Sequence, residues 1–161
     1  MVNQREYFTV ELKSQITLGI PLDEMGTVVQ FDAANVCTVP GVADFWYGVA
    51  NHKGSLLWIL DSDRFFSLEE SSSRPSQKLT AVIIRNQNFS RQKQVAITAE
   101  ALQGIMELEV APGELMSGGI SPQLAQCCSS IAVTTGNKSV HILNSAALLQ
   151  QLYQQSTLVS T

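Results

Sequence analysis

The sequence predicts a mainly β protein, with two small barrels of about five strands each around a common core and one closing helix. Three observations carry this. The apolar runs are strand-sized, and several alternate with the period of two that a half-buried strand requires, Phe8, Val10 and Leu12 against Tyr7, Thr9 and Glu11 being the clearest. Turn signals such as Pro40-Gly41, Gly54 and Pro112-Gly113 separate the runs. A broad helical apolar face appears at the C-terminal end, on Ala146, Leu148, Leu149, Leu152 and Tyr153.

In chain order, residues 6–12 and 16–20 form a hairpin around Lys13-Ser14-Gln15, and Pro21 stops the pairing. Residues 22–25 form one helical turn, because proline suits the position that opens it. Residues 28–31 and 36–39 are strands with a turn at 32–35 between them. Residues 45–50 and 55–60 are β-prone, and Asn51-His52-Lys53-Gly54 joins them as a four-residue hairpin loop. Both runs are apolar on alternate and intervening positions, which places them between two packed layers. Residues 69–77, with Glu69-Glu70-Ser71-Ser72-Ser73-Arg74-Pro75, read as a polar crossing. Strands follow at 79–84, 94–99, 102–110, 128–134 and 139–143, with polar loops at 86–91 and 112–119 and a tight turn at 135–138. Asn144 or Ser145 caps the closing helix, and residues 156–161 should fray.

The 161 residues fit one domain, 6–155, whose lobes are 14–68 and 78–154 with 69–77 crossing between them. In an alternative division the strand 6–12 joins the second lobe. Charged residues are only 15% of the chain, so much of the surface is neutral and suited to protein contacts. Ten basic and fourteen acidic residues give a net charge of −4, and the basic ones are scattered, which argues against a nucleic-acid partner. No run reaches the about 20 apolar residues of a membrane helix, and nothing near Met1 reads as a signal peptide. Three cysteines without framework spacing fit a reducing compartment, so a cytoplasmic location is expected.

A search for chemistry finds no catalytic group, cofactor motif or metal site. His52 reads as a surface turn residue, and His141 as facing solvent or a neighbouring strand; neither has metal-ligand spacing. Cys127 and Cys128 point to opposite faces of a strand, one buried and one half-buried. Gly136-Asn137-Lys138-Ser139 lacks the first glycine of a phosphate loop and reads as a hairpin turn. Asp61 and Asp63 read as a solvated strand end rather than a catalytic pair. A domain with a large apolar core and no catalytic constellation works by binding.

Around the central hairpin the residues Gly48-Val49-Ala50-Asn51-His52-Lys53-Gly54, followed by the apolar strand 55–60 and Asp61, resemble the CheW family of chemotaxis coupling proteins. Tyr7 to Leu12 looks like that family's first strand, and Val140 to Asn144 with Leu148-Leu149 like its last strand and helix. Lys53 stands where the family has arginine, His52 where it has leucine, Trp58 where a proline is usual, and Ser62 where leucine follows the aspartate. The resemblance implies SH3-like barrels and a non-enzymatic adaptor that couples chemoreceptor cytoplasmic tips to a CheA-type histidine kinase. It implies that a kinase domain of the same fold meets the chain barrel end to barrel end, and that the receptor hairpin sits in the groove between lobes. It assigns Val49, Asn51, His52, Lys53 and Gly54 to the partner surface, with turn formation as the competing role of Asn51 and Gly54. The alternative is a diverged member that acts as a kinase inhibitor or dimerisation module without bridging receptors. A small-barrel enzyme or metabolite binder is the remaining possibility, and stabilisation by a metabolite would favour it.

Overall fold

The computed structural model describes residues 4–68, 78–86, 94–110, 121–134 and 136–159. Ten strands, three α-helices and two 3-10 turns are found among them. The strands are β1 (Gln4–Glu11), β2 (Thr17–Pro21), β3 (Met25–Asp32), β4 (Trp46–His52), β5 (Ser55–Leu60), β6 (Lys78–Ile84), β7 (Gln94–Ala99), β8 (Ala101–Glu109), β9 (Cys128–Val133) and β10 (Ser139–Leu143). The helices are α1 (Ser62–Phe65), α2 (Pro122–Gln126) and α3 (Ser145–Val159). The strands form two five-stranded sheets, one in the order β8-β1-β2-β10-β9 and the other β3-β6-β7-β5-β4.

Pairing does not follow the contiguous division at 69–77, a segment outside the described residues. β6 and β7 pair with β3 and β5, and β1 lies against β8. The chain changes sheet at two tight corners instead. One is Pro21 with the 3-10 turn Leu22–Glu24 behind it. The other is Glu100, whose N–H donates to the Glu11 carbonyl at 2.8 Å. The two parallel pairings, β10 on β2 and β5 on β7, follow from this interleaving.

Alternate residues of most strands bury on opposite sides, and the two sides have different destinations. Tyr7, Val140, Ile142 and Leu108 fill the interior of the first sheet. Leu57, Ile59, Leu79, Ala81 and Ala96 line that of the second. The intervening residues meet in one shared core: Val10, Leu12, Leu18, Ile20 and Leu143 from the first sheet, and Leu60, Val82, Ile84, Val95 and Ile97 from the second. Burial on both faces explains why the runs 55–60 and 79–84 are nearly continuous in apolar residues. An aromatic chain fills the middle. Phe45 contacts Phe65 edge-on at 4.9 Å, Phe65 contacts Phe66 at 5.3 Å, and Trp46 contacts Trp58 at 5.3 Å.

Several sequence expectations need correction. Residues 36–39 form no strand; a 3-10 turn occupies Ala33–Asn35, and Cys37 makes a single bridge to Val49. α1 and α2 were not expected. Asp61 caps α1 by accepting from the Arg64 N–H at 3.2 Å, and Ser121 caps α2 by accepting from the Leu124 N–H at 3.1 Å, with Pro122 opening the helix. α3 runs through Val159. Asn144 caps it, its side chain accepting from the Ala147 N–H at 3.1 Å. The buried Ser145 beside it is clamped by Glu24, which accepts from its N–H and hydroxyl, and by the Asn86 amide at 2.9 Å. The loop 112–119 and Thr135 lie outside the described residues.

Candidate functional site

The hairpin joining β4 and β5 is tighter than the sequence suggests. His52 pairs with Ser55, so the loop is two residues, Lys53 and Gly54. Both have positive φ, 51° and 81°. That is the sign pattern of a type I′ turn, whose twist matches the flanking strands. The Asn51 side chain accepts from the Gly54 N–H at 2.9 Å and closes the turn. Asn51, Lys53 and Gly54 are exposed, while Val49 and His52 are half-buried.

Pairing sorts these residues by face. Val49 opposes Trp58, and Asn51 opposes Leu56. Trp58 packs on the shared core, so this face is the one turned toward the other sheet. His52 ends its strand on the opposite face rather than sitting in the turn. The structure therefore brings Val49 and Asn51 to one face and Lys53 and Gly54 to the tip, and leaves His52 apart from them. Leu56, 55% exposed beside Asn51, continues the interlobe face to the surface and was not singled out in the sequence.

Gly48 fixes the base of this hairpin. Its φ is +147°, and a Cβ there would lie 2.1 Å from the Cys37 carbonyl oxygen. That oxygen and the Cys37 N–H make two 2.8 Å bonds with Val49. The departures at Trp58 and Ser62 are absorbed by packing. Trp58 stacks edge-on against Trp46, and the fully buried Ser62 donates its hydroxyl to the Thr98 carbonyl at 2.7 Å.

The titratable residues are more deeply placed than the sequence suggests. Asp61 and Asp63 are both buried, not a solvated strand end. Asp63 accepts from the N–H groups of Lys13 and Ser14 at 3.3 and 3.0 Å, tying α1 to the β1–β2 turn across the two sheets. Burial pushes the Asp61 carboxyl above the usual range, and its bond from the Arg64 N–H opposes that. His141 is 6% exposed and lies between Leu18 and Ile131 on neighbouring strands, not in solvent. Burial lowers its pKa, partly offset by a hydrogen bond to the Thr17 backbone. Cys127 and Cys128 are both buried, and burial pushes each thiol up to about 12; Cys37 is exposed. Among the described residues no three His, Cys, Asp or Glu side chains gather as metal ligands would, and no helix is long and apolar enough to cross a membrane.

A second uncovered apolar area lies on β8. Leu102 pairs with Val10 and Ile105 with Phe8, so both point to the interlobe side of their sheet. Val10 is completely covered by the shared core, whereas Leu102 is 44% and Ile105 62% exposed. A bulge makes this possible. The register slips between Thr9 and Val10, leaving Gln103 unpaired beside Gly104 at φ +92°, so residues three apart share a face. The signal in the sequence was the lone Gly104 inside the strand-like run Ala101–Glu109.

This two-sheet architecture has known counterparts. The structure of the scaffolding protein TtCheW from Thermoanaerobacter tengcongensis is similar, with a TM-score of 0.69 at 14% identity over 88% of this chain and 90% of that one. At that identity the likeness speaks to the fold: two SH3-like lobes. No curated protein sequence matches. The family model described as CheW-like domain matches residues 6–152, nearly the whole span in which the hairpin, shared core and closing helix lie. The chain belongs to the CheW-like domain family.

Proposed function

We propose that this chain is a non-enzymatic adaptor that couples chemoreceptor-type sensors to a CheA-like histidine kinase in a chemotaxis, phototaxis or pilus-motility pathway of the cytoplasm. One observation carries the reading. The apolar layer between the lobes is not fully covered, and it surfaces at Leu102 and Ile105 on one sheet and at Leu56 on the other. Exposed apolar side chains that continue a core mark protein contacts. The receptor's helical tip docks along this interlobe side, and Lys53, held at the hairpin tip by Asn51 and Gly54, supplies a cation at the partner surface. Val49 supports that tip from below, and His52 flanks it. A kinase regulatory domain of the same fold meets one barrel end.

Co-elution of the purified chain with a CheA-type kinase, and separately with a receptor cytoplasmic tip, tests the proposal. Binding to both is expected, and binding to neither removes it. Within that assay Lys53→Glu should weaken receptor binding about three- to ten-fold. Unchanged affinity would remove the hairpin tip from the interface.

A further inference from the structure

The uncovered side of β8 continues from apolar residues into carboxylates. Ile105, Glu107 and Glu109 alternate with the buried or half-buried Met106 and Leu108, so they share one face with Leu102. Across the strand pair Glu107 lies directly opposite Glu6, and both are exposed. Like charges directly opposite destabilise an antiparallel pair. Among the described residues no ion pair relieves this one. Arg5, on the other face of β1, is engaged with Asp23 at 3.0 Å, and Lys138 with Glu11 at 3.4 Å; these are the ion pairs among the described residues. Glu109 accepts from the Gln4 amide at 3.2 Å.

We propose that this face takes an amphipathic helix whose apolar residues cover Leu102 and Ile105 and whose next two turns carry lysine or arginine against Glu6, Glu107 and Glu109. The inference rests on the docking role given above to the interlobe side and adds the charge of its occupant. The spacing fits. Residues two apart on a strand are separated by about 6.6 Å, and residues four apart on a helix by about 6 Å. A helix lying along β8 therefore keeps register over Ile105, Glu107 and Glu109. Its cations would neutralise the opposed pair, so a feature that weakens the free protein strengthens the complex.

The test uses the full chain and two synthetic antiparallel helical hairpins with the same leucine face. One carries lysine at the positions four and eight beyond its docking leucine, and its twin carries glutamate there. Fluorescence anisotropy at about 50 mM salt should show the lysine hairpin bound at least about ten-fold tighter, with the gap narrowing at about 300 mM. Glu107→Lys should shrink the preference to about three-fold or less, and Ile105→Asp should weaken both hairpins. Glu107→Gln should melt no lower than the wild type while losing about three-fold in affinity for the lysine hairpin. Equal binding of the twins overturns the charge inference and leaves the adaptor reading intact. Binding of neither twin, or binding unaffected by Ile105→Asp, overturns the placement, and the receptor-tip co-elution then decides the adaptor reading separately.

Discussion

Gly48→Ala should be among the most damaging single-methyl additions this fold can receive. The added Cβ would sit 2.1 Å from the Cys37 oxygen, 2.8 Å from the Cys37 carbonyl carbon and 3.2 Å from the Thr38 Cα, all backbone atoms that no rotamer change can move away. Relief requires Cys37 to retreat. That breaks two 2.8 Å hydrogen bonds to Val49, about 0.5–1.5 kcal/mol each. The left-handed backbone at φ +147° adds about 1–3 kcal/mol for a residue with a side chain. The sum is about 2–6 kcal/mol, a large share of the about 5–15 kcal/mol that stabilises a domain. Gly54→Ala is the control. Its φ is +81°, but nothing lies within 4 Å of its Cβ, so only the backbone preference of about 1–2 kcal/mol is lost. Urea unfolding followed by the fluorescence of Trp46 and Trp58, which contact each other in the shared core, reads both variants. Equal losses, or less than about 1 kcal/mol at Gly48, would refute the steric reasoning.

Three further outcomes follow from buried polar groups. Asp63→Ala leaves the Lys13 and Ser14 N–H groups without their carboxylate and should lower stability by about 2–4 kcal/mol in the same urea assay; a loss under about 0.5 kcal/mol would mean the clasp between α1 and the β1–β2 turn is unimportant. His141 has a lowered pKa, so the unfolded chain binds its proton first, and its contribution to stability is present above about pH 6.5 and declines as pH falls toward the folded value. The raised pKa of Asp61 acts in the opposite sense, with stability gained as pH falls through its folded value, so the comparison must be with His141→Leu, which keeps Asp61. That variant should lose less stability than wild type between pH 7.5 and 5.5, and parallel curves would contradict the burial argument. A thiol reagent should label Cys37 quickly in the folded chain and reach Cys127 and Cys128 only after denaturation, since burial holds both near 12; rapid labelling of three thiols would show that α2 and β9 open readily.

Most of the strands were legible because burial on two faces writes a strong pattern. Ser55–Leu60, Gln94–Ala99 and Ser139–Leu143 were placed to the residue, and Lys78–Ile84 to within one. What failed was local. Val36 to Val39 has strand composition but only Val49 to bridge, because backbone partners rather than propensity decide whether a run becomes a strand. α1 hid behind four polar or aromatic residues whose helicity depends on the Asp61 cap and the seat for Phe65 in the shared core. Assignment of strands to sheets was not legible either. It turns on the corners at Pro21–Glu24 and Glu100, and neither announces which sheet the next strand will join.

The candidate surface divides in the same way. The hairpin tip was readable because Asn51, Lys53 and Gly54 are turn residues, and turn chemistry acts over a few neighbours. Leu102, Ile105 and Leu56 were not, since an exposed leucine and a core leucine look alike until the packing partner is known. Yet their exposure follows from the same alternation that builds the core. Along the ladder from Leu102 through Val10 and Leu18 to His141 and Ile131, the middle members are buried, Ile131 at one end is half-buried and Leu102 at the other is exposed. A sheet five strands wide outruns the lobe that packs on it. The bulge at Gly104 then carries the apolar stripe onto the last strand instead of letting parity turn it inward. The uncovered stripe is therefore a geometric consequence of packing two small barrels on one layer, and binding a partner is the way such a fold can bury what its own second lobe leaves exposed.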